Sequence, residues 1–126
     1  MEDKSLVKSE LAKLMSVLSH PHRIQILEEL RDGEKGVSRL QRALGVSQSL
    51  VSQHLATLRS NRIVAERREG RHVYYRLAHA EIFAWLALGL AFVEADAVRL
   101  ETTRLALDTT RADWGPRPGN GKAIES

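Results

Sequence analysis

The apolar positions between Val37 and Leu58 fall into two runs at helical spacing. Val37, Leu40 and Leu44 recur at intervals of three and four, and beyond Gly45 a second set, Leu50, Val51, Leu55 and Leu58, repeats the pattern. Gly45 suits the left-handed backbone that ends a helix, and Ser47 suits the cap of the next one. The pattern predicts two short helices joined by a turn of three or four residues, the outline of a helix-turn-helix. Stepping the second helix at about 100° per residue turns Leu50, Val51, His54, Leu55 and Leu58 inward, with His54 packed against the first helix of the motif. Gln48, Ser49, Ser52, Gln53, Ala56, Arg59 and Ser60 turn outward. This outward face is short, polar and free of carboxylates, which fits close approach to base edges offering both donors and acceptors.

The flanks continue the helical reading. Leu6, Val7, Leu11, Leu14, Met15 and Leu18 form one apolar stripe over residues 5–18. His20 then stands at a cap, Pro21 at a first helical position, and Ile24, Leu27 and Leu30 on an inner face that Gly33 ends. Gly36 caps the next helix. His20 and His22, two residues apart at a helix start, share no face, so they read as scaffold residues.

After the helix-turn-helix the period changes. Ile63 to Arg68 and His72 to Leu77 are β-prone runs about Glu69-Gly70, with Val73, Tyr75 and Leu77 inward and Tyr74 and Arg76 outward. Arg67, Arg68, Arg71 and His72 crowd the turn, as expected of a wing that touches a phosphate backbone or the adjacent minor groove.

From Ala80 to about Ala112 there is no proline and one glycine, Gly89, so one long helix or two stacked helices are expected. Ile82, Phe83, Trp85, Leu86, Leu88, Leu90, Phe92 and Val93 cover nearly its whole circumference, which predicts burial on several sides. In so short a chain the expected second cover is another copy, with Gly89 allowing close approach at a two-fold axis. Leu11, Leu14, Ile82, Trp85, Leu86, Gly89, Phe92 and Val93 are the expected dimer contacts. Val98, Leu100, Leu105 and Leu107 form a thinner stripe expected to embrace the partner or the N-terminal helix. The Gly- and Pro-rich run from Gly115 predicts a disordered tail over 115–126, leaving 1–114 as the folded unit. The expected fold is mainly α: a winged helix-turn-helix, four helices followed by a hairpin and a long C-terminal dimerisation helix.

Charge sharpens this picture. Nine Lys or Arg against two acids between Lys35 and Arg76 give that segment +7, and since the whole chain carries +3 the remainder carries −4. A basic centre between acidic flanks is the footprint of a polyanion-binding face. A membrane-surface role would pair such charge with exposed aromatics and leucines, whereas this segment turns its apolar residues inward. No apolar run reaches the roughly 18 residues of a spanning helix, and the N-terminus lacks a signal peptide's apolar core, so a cytoplasmic protein is expected. Zero cysteines exclude disulfides and thiolate metal sites. No nucleophile elbow, glycine-rich phosphate loop or paired carboxylates point to an enzyme or a cofactor.

His20-Pro21-His22-Arg23-Ile24 with Ile26-Leu27, then Leu44-Gly45-Val46-Ser47-Gln48-Ser49 with Val51-Ser52 and His54-Leu55, then Tyr74-Tyr75-Arg76-Leu77, resemble the successive signatures of the ArsR/SmtB family of bacterial winged-helix repressors, over roughly residues 10–95. The resemblance implies a homodimer that binds double-stranded DNA at an inverted-repeat operator. Ser47, Gln48, Ser49, Ser52 and Gln53 are the expected base-reading end, and Arg59, Arg67, Arg68, Arg71 and His72 the expected phosphate contacts. It leaves room for an unidentified small-molecule inducer, including an apolar pocket beside Trp85. The rival class is an effector-sensing or protein-interaction module with an incidental basic face.

The resemblance also bears on metals. Where thiolate-sensing members carry Cys-x-Cys, this chain has Gly36-Val37-Ser38, so no soft ligand is available for arsenite, cadmium or lead. The first half of the family's other site survives as His79 and Glu81. Its second half, which the family places on the partner's copy, is replaced by Phe92 and Ala95, which leaves conceivable only a shifted site of His79, Glu81 and a partner carboxylate at Glu94 or Asp96, and no metal is expected. Family members usually carry Gly where this chain has Arg62, and a left-handed backbone there would cost about 1 kcal/mol unless Asn61 takes the turn.

Overall fold

The computed structural model describes residues 3–97 and 101–116. They form two compact units, one reaching to Ala78 and the other beginning at His79.

The first unit starts with α1 (Lys4–Val17), capped by Asp3, whose carboxylate accepts from the Ser5 amide at 3.0 Å. Helix α2 (Pro21–Glu29) begins as the proline placement requires, with His20 Nδ1 accepting the His22 amide. It passes into a single 3-10 turn over Leu30–Asp32 before Gly33 redirects the chain at φ 143°. Ile26, Leu27 and Leu30 supply its buried side. Helix α3 (Val37–Leu44) is capped by Gly36 and ends at Gly45, which adopts φ 68° and donates its amide to Gln41. Only Gly45, Val46 and Ser47 separate α3 from α4 (Gln48–Ser60). Ser47 Oγ accepts the Leu50 amide at 3.1 Å, a cap that contributes about 1 kcal/mol. Val51, Leu55 and Leu58 of α4 and Leu40 of α3 are fully buried, and the two helices pack together.

The end of α4 answers the question posed by Arg62. Its amide bonds to Arg59 O, and the next amide, Ile63, reaches back to Leu58 O, both at 2.9 Å. That is a Schellman closure, which requires a left-handed residue at Arg62, and Arg62 has φ 60° while Asn61 stays at φ −99°. The strain is taken by the arginine.

The wing is a hairpin of β2 (Val64–Glu69) and β3 (His72–Leu77), paired from Val64 with Leu77 to Glu69 with His72. The turn is therefore Gly70-Arg71, one residue later than the expected Glu69-Gly70, and Gly70 supplies the positive φ of 62°. A strand of two residues, β1 (Lys35–Gly36), adds to the free side of β3 through Lys35 with Tyr75 and Gly36 with Tyr74, giving the order β1-β3-β2.

The second unit is a helical hairpin of α5 (Ile82–Ala97) and α6 (Glu101–Trp114). Phe83 meets Trp114 edge to face at 5.6 Å, Arg111 donates to Glu94 at 2.6 Å, and Phe83 and Leu107 are buried. Within this unit α6 folds back and covers one side of α5. Val98 and Leu100 lie outside the described residues, as does the tail beyond Pro116. Opposite α6, α5 keeps an open apolar side, with Phe92 80% and Leu88 68% exposed and Trp85 and Val93 partly so.

Candidate nucleic-acid interface

Helix α4 separates its two faces as its sequence requires. Val51, His54, Leu55 and Leu58 are buried, while Gln48, Ser49, Ser52, Gln53, Ala56, Arg59 and Ser60 are exposed. The exposed face of α4 carries no carboxylate from its own helix. Ser47 is exposed and spends one of its two oxygen lone pairs on the cap, leaving the other and its hydroxyl proton for a further partner.

The wing turn stands close to the start of this helix. Gly36, Val37, Ser38 and Gln48 line one cleft with Arg71, His72 and Val73, a space of about 190 Å³. Gln48 from the recognition helix and Arg71 and His72 from the wing thus share a single polar surface.

The wing arginines are not equivalent. Arg67 is held by Glu34, with Nε 3.0 Å from Oε2 and an NH2 to Oε1 distance of 2.9 Å, by Glu69 at 2.9 Å, and by the Tyr74 ring, 4.8 Å from its guanidinium carbon. The Glu34 hydrogen bonds, then those of Glu69, raise its pKa above the ordinary value, and the Arg67 hydrogen bond holds the Glu34 carboxyl below the usual carboxylate range. Arg59 and Arg68 sit loosely on Glu66, at 3.6 and 3.5 Å, with 53% and 70% of their side chains exposed. Arg71 and His72 are exposed at the turn. Lys35, counted in the basic segment, is only 3% exposed and points its Nζ toward Gly33 O, so its charge does not reach this surface as a side chain. Glu34, just outside that segment, is the acid the charge count left out.

Sequence reasoning also missed a histidine cluster behind the interface. His54 packs on the start of α2: its ring lies 4.5 Å from His20 and 5.6 Å from His22, and its Nδ1 accepts from Arg23 Nε at 3.1 Å. Arg23 also donates to Val17 O at 3.0 Å. Burial, then the neighbouring His20, Arg23 and His22, lowers the His54 pKa from its ordinary value. His22 Nδ1 and His54 Nε2 are buried without a hydrogen-bond partner, a state that costs about 1–3 kcal/mol for a polar group. No local signal could reveal the cluster, because its third member comes from another helix.

Residues 20–66 match the bacterial regulatory proteins of the arsR family. A biofilm growth-associated repressor of Xylella fastidiosa is 38% identical over 80 residues, which span 64% of this chain and 70% of the relative. The chain belongs to the arsR family. Among solved structures, Rv0081 of Mycobacterium tuberculosis superposes with a TM-score of 0.64 at 35% identity, covering 78% of this chain and 99% of that one. The homodimeric winged helix-turn-helix DNA-binding domain Mb0332 of Mycobacterium bovis gives a TM-score of 0.62 at 34% identity, covering 77% of this chain and 89% of that one. In this arsR-family chain the side chains that a metal site shared with a second copy would draw on lie at the surface. His79 and Glu81 are exposed, Phe92 is 80% exposed, and Glu94 is bonded to Arg111.

Proposed function

We propose that the chain is a transcriptional repressor that binds duplex DNA as a homodimer, placing α4 in the major groove and the wing turn on the flanking backbone. The observation that carries this reading is the cleft that joins Gln48 of α4 to Arg71 and His72 of the wing beside a helix face with no carboxylate. On such a surface Gln48, Ser49, Ser52 and Gln53 offer short donors and acceptors to base edges. Arg59, Arg68 and Arg71 supply phosphate contacts, with Arg59 and Arg68 exchanging their long contacts to Glu66 for phosphate oxygens. Arg67 is assigned instead to anchoring the wing, since Glu34 and Glu69 already use its guanidinium.

The partner that the dimer reading requires is a second copy on the open side of α5, where Trp85, Leu88, Phe92 and Val93 are exposed together, with the exposed Leu6, Val7, Leu11 and Met15 of α1 as a further apolar row. Two α4 helices related by a two-fold axis then reach half-sites about one helical turn apart. Among the described residues no helix is long and apolar enough to cross a membrane. Salt-dependent binding of the full chain to duplex DNA tests the reading against a protein-contact module: a log–log slope corresponding to several phosphates supports it, and a flat response contradicts it.

A further inference from the structure

His20, His22 and His54 each place one ring nitrogen within 4.8 Å of the other two. His54 is 5% exposed, and the cluster holds two buried nitrogens, His22 Nδ1 and His54 Nε2, that bond to nothing. The scaffold needs far less than this. Capping α2 uses only His20 Nδ1, and holding Arg23 uses only His54 Nδ1. A third imidazole and two unsatisfied nitrogens remain to be explained, and three convergent imidazoles are a donor set for borderline divalent ions of the zinc, cobalt and nickel kind.

We infer that His20, His22 and His54 form a three-histidine site for such an ion, tying the start of α2 to the inner face of the recognition helix. An ion with bonds of about 2.0–2.1 Å draws its nitrogens to within roughly 3.3 Å of one another, so the rings close inward on loading. His20, the cap of α2, and His22, in its first turn, are both partly exposed. A water fills the fourth position.

The hydrogen bonds already present give the site a consequence. His54 accepts from Arg23 through Nδ1, so its neutral ring carries the proton on Nε2. An ion on Nε2 requires that proton to leave and Nδ1 to take one up, and a protonated Nδ1 cannot accept from Arg23. Loading therefore releases Arg23 from α4 while Arg23 keeps Val17 O. The ion acts on the position of the recognition helix. Its effect on DNA rests on the proposed function, whereas the site itself does not.

The test is calorimetric titration of the full chain with zinc chloride, with cobalt chloride followed by its visible d–d absorption. The wild type takes up one ion per chain and gives a tetrahedral cobalt spectrum. His20→Asn keeps a good cap and removes a ligand, and His22→Gln leaves the cap intact, so both fold. Each lowers affinity at least about 10-fold, while His79→Ala leaves it unchanged. Absence of stoichiometric binding by the wild type, or equal binding by folded His20→Asn and His22→Gln, overturns the site. Zinc uptake with unchanged affinity for duplex DNA that the metal-free protein binds overturns the coupling alone.

Discussion

Glu34 and Arg67, 33 residues apart, meet through three hydrogen bonds of 2.9, 3.0 and 3.2 Å, and this pair fastens the wing to the strand that leads into the helix-turn-helix. Its carboxylate is only 14% exposed, which screens it less than an ordinary surface pair. The Glu34 pKa is lowered in the folded chain, chiefly by the Arg67 hydrogen bond. A depressed folded pKa contributes stability that is fully present above the unfolded value, near 4.5, and is lost as pH falls through the folded one. Urea denaturation from pH 7 to pH 3 is expected to show this loss below about 4.5, and Glu34→Gln to lack that component. An identical pH profile in the variant would remove the pair from any role in stability.

The left-handed arginine gives a second prediction. Arg62 at φ 60° closes α4 where a residue without a Cβ fits unstrained. Arg62→Gly is expected to stabilise the chain by ~0.5–1 kcal/mol, after the greater freedom of glycine in the unfolded state is discounted. Thermal and urea melts check it, and a destabilised variant would mean that the side chain contributes more than the strain costs.

How far the sequence reached depends on whether a feature is local. Gly45, Ser47 and Pro21 mark helix ends within three or four residues of themselves, so the helix-turn-helix and its polar face were legible. The two-residue strand at Lys35 was not, since it exists only through pairing with Tyr75. The hairpin was legible but its turn was misplaced by one residue, because Glu69-Gly70 and Gly70-Arg71 carry the same glycine signal. The apolar circumference of α5 predicted cover on several sides, whereas within the single chain α6 covers one side and Leu88 and Phe92 stay exposed. Periodicity cannot say whose side chains provide that cover, and Trp114 of the same chain provides part of it. Likewise Arg67 read as a free cation until Glu34 was folded onto it.

The open side of α5 yields the third prediction. A Cβ added at Gly89 meets nothing within 4 Å, and Phe92 is 80% exposed, so neither position constrains the single chain. Gly89→Glu and Phe92→Glu are expected to leave a folded chain that sediments as a monomer, with dimerisation weakened by several kcal/mol through an unpaired charge in the interface. An intact dimer in both variants would place the interface elsewhere.

The wing and the recognition helix are expected to separate in binding experiments. Arg71→Ala, at the exposed turn, weakens binding to specific and random duplex alike and reduces the salt slope by about 1. Gln53→Ala costs ~1–3 kcal/mol mainly on the specific duplex. Equal losses on both duplexes for Gln53→Ala would take Gln53 out of base reading.

The central claim is that two copies of α4 read one operator, and selection of bound duplexes from a random pool by the full chain tests it most directly. The account predicts enrichment of an imperfect inverted repeat whose half-site centres lie about 10–10.5 base pairs apart or a multiple of that, and loss of the enrichment with Gly89→Glu. A single unpaired half-site, or no enriched sequence at all, would contradict it.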